Sequence, residues 1–337
     1  APPPELNPDA VSEILLRLPP DEPAGLVRAS AVCKPWLRTL TDTAFLRRYR
    51  AFHGMPRVLG FLHSPTDRSL ERFVPTTAFR PHAAAHRTCV VLDCRHGRAL
   101  FYDYGSCEFV VWDPITGRER RIPDDVPDVY TNHAVLCAAG ASCDHSTCGG
   151  GPSLLASAGV HRYCDTFYEA DACFYSSETG PRSLRTTNLR LEYHHRYGLE
   201  DRPAALVGRA LYFFGDSGKL LRYEHHCHDS KQWCGGLGLA TFYRGMLFLW
   251  STETGPNGDD QWAHIKIIEL EKLLPVDIRM SSAWLSGFAE DANVIFLSTN
   301  DNGIFTIELK SLLARKVCDM GNVNHVFPYV SFCTPAG

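Results

Sequence analysis

Several short stretches of the sequence carry residue types that could do chemistry, and the first is GDSG at residues 215–218. A serine in such a loop is the nucleophile of serine proteases, where a histidine takes its proton and an aspartate orients the histidine. Here the stretch lies between two apolar segments that need a tight turn, and no histidine and aspartate can be assigned to it. We interpret it as a hairpin turn and predict no catalytic residue.

Two clusters of cysteine and histidine have the side chains that bind zinc. They are CDHSTC at residues 143–148 and HHCH at residues 225–228. Structural zinc sites normally pair two close-spaced ligand couples, and neither cluster has a mate at a standard spacing. We therefore interpret both as exposed loop residues and predict no metal site.

A glycine-rich stretch, GGLGLA at residues 235–240, has some of the letters of a dinucleotide-binding loop. In that loop the glycines open a helix within a βαβ unit, so that the phosphates meet the helix N-terminus. No helix or βαβ pattern follows here. The stretch is typical of a turn entering a strand, and we predict no cofactor.

The composition limits the classes of partner. The 337 residues are 45% hydrophobic and 21% charged, within the range of globular proteins with one or two domains. A formal net charge of −4 gives no overall attraction to nucleic acid or to an anionic membrane, so neither is expected as a partner. No stretch approaches the roughly 18 apolar residues of a membrane helix, and the opening APPPELNPDA lacks the pattern of a secretory signal. The 13 cysteines, an odd number without regular spacing, favour reduced thiols and a cytoplasmic or nuclear location, or both.

The first 53 residues have the period of helices. Asn7 can cap a helix that Pro8 begins and that Pro19 and Pro20 stop. Further helices are predicted from Pro23 to about Val32 and from about Cys33 onward. A unit of about 45 residues seldom buries enough surface to be stable alone, which indicates that it needs a partner surface. One face of the first helix groups four apolar side chains at i, i+3, i+4 and i+7: Val11, Ile14, Leu15 and Leu18.

The stretch LNPDAVSEILLRLPPDEPAGLVRASAVCKPWLRTLTDTAFLRRY resembles an F-box. That family's pattern runs from a Leu-Pro opening through a Glu-Ile-Leu helix and a Leu-Pro stop to a Val-Cys-Lys-x-Trp core. Two positions depart from it, because Asn7 stands where the family usually has proline and Pro35 replaces a basic residue. Both suit a helix N-terminus, so we expect the fold to be kept. The matching residues are Leu6, Glu13-Ile14-Leu15, Leu18-Pro19 and Val32-Cys33-Lys34-Pro35-Trp36.

The resemblance implies a docking function for the helical unit. F-boxes bind the Skp-type adaptor of SCF ubiquitin ligases, which links them to a cullin, a RING protein and the ubiquitin-charged conjugating enzyme. The implied residues divide between that interface and the small helical core, and the sequence leaves the division open. They are Leu6, Val11, Ile14, Leu15, Leu18, Pro19, Leu26, Val27 and Val32, with Cys33, Trp36 and Leu40 bracing the third helix.

From Pro56 onward the apolar period changes to two. RTCVVLDCRHGRALFYDYGSCEFVVWDPITGRERRIP predicts four antiparallel strands joined by tight turns. Comparable units recur every 40 to 60 residues or so, which is the pattern of a β-propeller. We predict a multidomain chain, α plus all-β: an F-box helical domain over residues 5–53 and a propeller over 56–335, six-bladed if residues 57–75 and 323–334 together make the closing blade.

The phrases YRAFHGMPRVLGFLH, CRHGRALF, VVWDPITG, YSSETG and CDHSTCGGGP resemble those of plant F-box proteins of the grass type, which carry a C-terminal F-box-associated propeller. The resemblance implies a non-catalytic subunit whose F-box holds the ligase and whose propeller binds the target protein. His194, His195 and Arg196, in LEYHHRYGLEDR, are candidate target-binding residues on a polar loop.

Two other classes of function stay open. One is a propeller scaffold that binds partners without a ligase. The other is a propeller oxidoreductase, which would need a converging set of tyrosine, histidine and cysteine that spacing does not reveal.

Overall fold

The computed structural model describes residues 7–20, 22–54, 56–64, 72–82, 88–124, 130–138, 151–162, 167–178, 186–192, 199, 202–207, 210–214, 220–224, 238–243, 245–254, 260–274 and 283–331. Four helices come first. They are α1 (Pro8–Leu16), α2 (Pro23–Ser30), α3 (Lys34–Thr41) and α4 (Thr43–His53). None of the helices in these ranges is long and apolar enough to cross a membrane.

The helix ends follow from local side chains. The Asn7 side chain accepts a hydrogen bond from the Asp9 amide at 3.0 Å and caps α1, as the sequence predicts. Asp42 caps α4 in the same way, since its Oδ2 accepts from the Phe45 amide at 2.9 Å. Gly54 ends α4 with a φ of 75°, which a residue with a Cβ rarely adopts. These caps satisfy backbone groups that a helix leaves without partners.

The four helices enclose a small core of their own. Leu16 and Leu18 of the first helical segment are tied to α4: the Tyr49 hydroxyl donates to the Leu18 carbonyl at 2.7 Å, and His53 Nε2 lies 2.8 Å from the Leu16 carbonyl. Of the four apolar residues on the predicted face of the first helix, Val11 and Leu15 are buried in this core and Leu18 packs against it. The buried members of the core are Val11, Leu15, Leu16, Leu26, Ala29, Leu40, Phe45, Leu46 and Tyr49.

One residue of the β region, Ile115, packs against this helical core. Ile115 also contacts the neighbouring core between two sheets, so it belongs to both. The buried Asp113 side chain fixes its turn, because Asp113 Oδ1 accepts from the Ile115 amide at 2.9 Å and Oδ2 from the Thr116 hydroxyl at 2.7 Å. The turn in VVWDPITG thus connects the helices to the sheets.

Strands make up the rest of the described chain. In chain order they are β1 (Arg57–His63), β2 (Phe73–Pro75), β3 (Cys89–Arg95), β4 (Arg98–Asp103), β5 (Glu108–Trp112), β6 (Glu119–Pro123), β7 (Tyr130–Cys137), β8 (Ser153–Arg162), β9 (Phe167–Ser176), β10 (Thr186–Glu192), β11 (Ala205–Val207), β12 (Ala210–Phe214), β13 (Leu220–Glu224), β14 (Gly238–Tyr243), β15 (Met246–Thr254), β16 (Asp260–Glu269), β17 (Ala283–Ala289), β18 (Val294–Thr299), β19 (Ile304–Glu308), β20 (Leu313–Cys318) and β21 (Val326–Ser331).

These strands form six antiparallel sheets within the described ranges. The strand orders are β2-β1-β21, β3-β4-β5-β6, β10-β9-β8-β7, β11-β12-β13, β14-β15-β16 and β17-β18-β19-β20. Most neighbours follow each other in the chain, which short turns permit. The β3–β4 turn shows why: His96 and Gly97 have φ values of 51° and 72°, the backbone of a two-residue hairpin turn.

The first sheet joins the two ends of the β region. Strand β21 pairs with β1, with Arg57 opposite Ser331 and His63 opposite Val326. The side chains of Tyr329 and Phe327 on β21 are buried beside Leu59 and Leu62 of β1. The last described strand therefore completes the sheet that the first strand begins.

Among the described residues, five of the six junctions that a ring of these sheets requires are present. Strand β21 contacts both β3 and β17, β3 contacts β7, and β14 contacts β17. Apolar clusters fill the spaces between successive sheets, including those between the second and third, the third and fourth, and the fifth and sixth. This cyclic order is that of a six-bladed β-propeller, and it confirms the predicted fold class of a helical unit followed by an all-β propeller.

Candidate docking surface of the helical domain

The predicted adaptor-binding residues fall into a buried and an exposed group. Val11, Leu15 and Leu26 are buried in the helical core, at 8%, 1% and 2% exposure. Leu18 and Trp36 are half-buried and pack against the same core. These five residues support the fold of the domain from inside.

The exposed group contains three large apolar side chains. Ile14 is 47% exposed, Val27 is 36% exposed and Val32 is 63% exposed. We refer to Ile14, Val27 and Val32 as the exposed apolar set. Pro19 and Cys33 are also exposed, whereas Leu6 lies outside the described residues. Single exposed apolar residues are common. These three lie within 19 residues of the sequence, on α1, on α2 and in the turn that follows α2.

Helix geometry explains the division. Neighbouring residues of an α-helix point about 100° apart, because a turn takes about 3.6 residues. In α1, Leu15 faces the core and the preceding Ile14 does not; in α2, Leu26 faces the core and the following Val27 does not. Each of these pairs therefore contributes one side chain to folding and leaves one for contact.

Charged residues accompany the exposed apolar set. Glu13 forms an ion pair with Arg17 at 3.5 Å and another with Arg48, which links α1 to α4. Arg28 and Lys34 are exposed on α2 and α3.

Cys33 is a free, exposed cysteine at the start of α3. Its extended backbone, with φ −162° and ψ 161°, places it as the N-cap between Val32 and Lys34. Pro35 lies within the first turn of α3, where a missing N–H costs no helix hydrogen bond. The departure of Pro35 from the usual family pattern is thus compatible with the helix, as expected.

Other sequence-predicted sites fall outside the described residues. These are the GDSG turn, the CDHSTC and HHCH clusters, and the candidate target-binding residues His194, His195 and Arg196. Gly238, Leu239 and Ala240 of GGLGLA do lie in the described chain, as the start of β14. No group of three or more potential metal ligands occurs among the described residues.

The sequence reasoning missed two features that the structure contains. Phe52 on α4 is 56% exposed, and its place in the helical period gave no sign of that exposure. Asp93 and Arg95 form a salt bridge in the interior of the sheet region, with Arg95 Nε 2.7 Å from Asp93 Oδ2. Two charged residues at i and i+2 of an apolar strand share one face, and this was the available signal.

The comparison with known families decides the nature of the helical unit. Residues 4–48 match the model of the F-box domain. The helical unit is similar to an F-box domain over this stretch. The matched stretch includes the whole exposed apolar set and ends within α4. The match supports an F-box protein, a family that generally contributes substrate adaptors to SCF ligases and binds Skp-type adaptors.

Similarity beyond the F-box is low. No curated protein matches the chain. Among solved structures, a PQQ-bound aldose sugar dehydrogenase from Streptomyces coelicolor has 13% identity and a TM-score of 0.31, covering 77% of this chain and 85% of its own. The β-propeller domain of Cps50 (Swd1) from Myceliophteria thermophila has 13% identity and a TM-score of 0.26, covering 74% of each chain. Both TM-scores are too low to support a conclusion on function.

Proposed function

We propose that this protein is the substrate-recognition subunit of an SCF-type ubiquitin ligase. Its F-box would dock on a Skp-type adaptor, and through it on a cullin and a RING protein, while its propeller would bind the target protein. The observation that carries the proposal is the exposed apolar set, Ile14, Val27 and Val32, inside a stretch that matches the F-box domain. The cytoplasm or the nucleus is the proposed location, and a plant F-box-associated propeller is the proposed type.

The proposed mechanism needs no catalytic group in this chain. A subunit that holds target and ligase together raises the effective concentration of the target at the ubiquitin-charged enzyme. Correct placement of two reactants can supply much of a rate enhancement, because the entropy of bringing them together is lost on binding and not in the reaction step. The protein would thus act as a non-catalytic adaptor.

The apolar anchors explain how docking would work. A few central apolar side chains usually carry most of the free energy of a stable interface. Ile14 precedes the buried Leu15, whose packing fixes the direction of α1 and therefore of Ile14. Because the anchor sits on a rigid helix, docking would order few additional groups and so lose little conformational entropy.

A pulldown of the full chain with a purified Skp-type adaptor tests the proposal. Ile14→Asp should weaken binding by about 30-fold or more, equivalent to about 2 kcal/mol, because it places a charge in an apolar interface. Phe52→Asp is the matched control: it makes the same kind of change at another exposed apolar position of the domain, on α4, and should leave binding unchanged.

Folding must be held constant in this comparison. Ile14 and Phe52 are both exposed, so neither variant should disturb the core, and far-UV circular dichroism of both should match the wild type. Failure of the folded wild type to bind the adaptor would contradict the proposal and favour a ligase-independent propeller scaffold. Equal binding by Ile14→Asp and wild type would show that another face makes the contact.

A further inference from the structure

A cavity of about 420 Å³ lies where the inner strands of the propeller meet. Residues of β3, β11, β14, β17 and β21, which belong to five of the six sheets, line it. The remaining sheet comes close to it through β7, whose Val135 amide donates to Asp93 at 2.8 Å. A volume of this size is typical of small-molecule sites, which are commonly about 300–1,000 Å³.

The walls of the cavity are largely apolar and partly aromatic. Phe214, Trp250, Phe288 and Phe327 line it together with aliphatic residues such as Leu249. Phe288 is 45% exposed although it is a large apolar residue. Such walls suit the apolar body of a ligand, and aromatic faces also attract cations.

Asp93 and Arg95 place a compensated ion pair in one wall. Asp93 is 1% exposed at its side chain and accepts from Arg95 Nε at 2.7 Å and from Arg95 Nη2 at 3.0 Å. Arg95 Nη2 also donates to the Ala204 carbonyl, so it ties β3 to the segment before β11. The charge of each partner is thus largely matched by the other.

Glu290 is a carboxylate of the cavity wall that does not form such an ion pair within the described ranges. It follows β17, lines the cavity, and accepts a hydrogen bond from the Leu206 amide at 3.3 Å through Oε1. Within the described ranges, Glu290 has no direct ion pair, and it is an exposed residue that lines the cavity. Burial among protein atoms raises the pKa of Glu290 to about 7; Arg95 lowers it, and the nearby Asp291 and Asp93 raise it.

Charged groups of both signs line the cavity together with Glu290. Three carboxylates line the cavity (Asp93, Glu290 and Asp291), against two guanidinium groups (Arg95 and Arg202). The lining also contains two histidines, His96 and His325. Among these groups, Glu290 is a carboxylate whose Oε2 accepts no hydrogen bond from the described part of the chain, so this oxygen can accept one from a ligand.

We propose that this cavity binds a small organic cation, a protonated amine with an apolar body, whose ammonium group pairs with Glu290. The apolar body would contact the aromatic and aliphatic walls. The ammonium would donate to Glu290 Oε2, the oxygen that Leu206 does not use. This site belongs to the propeller alone and does not depend on the docking role of the F-box.

Binding of such a cation is linked to protons. Since Glu290 is about half protonated near pH 7, a cation that needs the ionised form must displace the proton, and about 0.5 proton should be released per ligand at that pH. Affinity should rise with pH up to about 8 and then level off, as long as the amine stays protonated.

Isothermal titration calorimetry of the full chain tests the proposal with phenethylamine and tryptamine. Neutral 2-phenylethanol and anionic 3-phenylpropionate serve as probes of similar shape. We expect both amines to bind, and the neutral and anionic probes to bind at least about tenfold more weakly, since one ion pair is lost. Titration in two buffers of different ionisation enthalpy counts the released protons.

Matched variants assign the effect to Glu290. Glu290→Gln keeps the oxygen that accepts from Leu206 but removes the charge, and it should reduce affinity for the amines about tenfold and abolish proton release. Glu271→Gln makes the same change at an exposed position in a 3-10 turn and should change neither. Any proton release that comes from the cavity histidines would persist in Glu290→Gln. The comparison of this variant with the wild type therefore separates their contribution from that of Glu290.

Three outcomes would overturn the site. One is the absence of binding by both amines. Another is equal affinity for amine, alcohol and carboxylate, which would make it an apolar cavity without charge selection. The third is a preference for 3-phenylpropionate, which would show that the cavity selects an anion and not a cation. Arg95 would then be the selecting group, because its buried Nη1 has no hydrogen-bond partner within the described chain.

Discussion

Adjacent residues of the F-box have opposite surroundings. Leu15 is 1% exposed and packs in the helical core, whereas Ile14 is 47% exposed. A substitution of Leu15 therefore reports on folding, whereas a substitution of Ile14 tests the proposed docking. Experiments that change both residues together would mix the two effects, because an unfolded F-box binds no partner.

We predict that Leu15→Ala lowers the free energy of unfolding of the helical domain by about 2–5 kcal/mol, the usual range for truncating a buried leucine. Ile14→Ala should change it by less than about 0.5 kcal/mol, since the side chain is largely in water. Urea denaturation of the full chain, followed by far-UV circular dichroism, measures both. A loss of similar size in the two variants would mean that Ile14 is part of the core.

The helical period predicted the buried face of α1 only in part. Val11, Ile14, Leu15 and Leu18 share a spacing, yet Ile14 is exposed and Leu16, which the pattern did not include, is 4% exposed. The width of the buried stripe depends on how α3 and α4 pack against α1, as in the contact of His53 with the Leu16 carbonyl. One helix read by itself carries no information on that packing.

At the scale of elements, the pairing of β1 with β21 closes the propeller. The ladder runs from Arg57 opposite Ser331 to His63 opposite Val326. Tyr329 on β21 is fully buried and packs in a stacked arrangement on Phe79, with ring centroids 5.8 Å apart. Loss of β21 would remove this packing and expose one edge of β1.

We predict that a chain ending at Asn322, which lacks β21, loses the cooperative thermal transition of the propeller. The same chain ending at Ser331 should keep it, because it retains the full ladder with β1. Differential scanning calorimetry compares the two. An undiminished transition in the shorter chain would show that the remaining sheets hold the ring without its closing strand.

The sheets were more predictable than the cavity between them. Alternating apolar residues and turn pairs such as His96-Gly97 indicate strands and hairpins directly, because both signals are local. The arrangement of charges in the cavity depends on Glu290 lying close to Arg95, and these residues are far apart in the sequence. Their proximity follows from the number and order of the sheets, which local patterns leave open.

At the scale of the whole molecule, two groups with shifted pKa values, His133 and Glu290, should oppose each other in the pH dependence of stability. His133 packs on Phe109, with ring centroids 4.8 Å apart, and its Nδ1 lies 2.8 Å from the Ser157 hydroxyl. Burial lowers the pKa of His133 to about 4 from its ordinary 6.5. The unfolded chain then binds more protons between these values, so stability is lost as the pH falls from about 6.5 to about 4.

Glu290 acts in the opposite sense. Its folded pKa of about 7 lies above the ordinary 4.5, so the folded chain binds more protons between these values. The stability that this group contributes is complete below about pH 4.5 and is lost as the pH rises to about 7. Between about pH 5 and 6.5 the two contributions partly cancel in the wild type.

We predict that single variants uncover each contribution. Glu290→Gln should lose stability on acidification more steeply than the wild type, and His133→Gln less steeply, each by at most about 1.4 kcal/mol per pH unit for a single proton. Urea denaturation at several pH values between 5 and 7.5 or so measures the slopes. Identical slopes in the wild type and both variants would refute the proposed protonation states.

The β1–β21 ladder also bears on how the protein is made. Roughly 260 residues separate the two strands in the chain, so a ribosome adding about 5–20 residues per second delivers the closing strand on the order of 10–50 s after β1. The F-box helices, which end at His53, emerge before any sheet is complete. In a nascent chain the helical domain is therefore complete while the propeller is still an open set of sheets, and chaperones would have to shield the unpaired edge of β1.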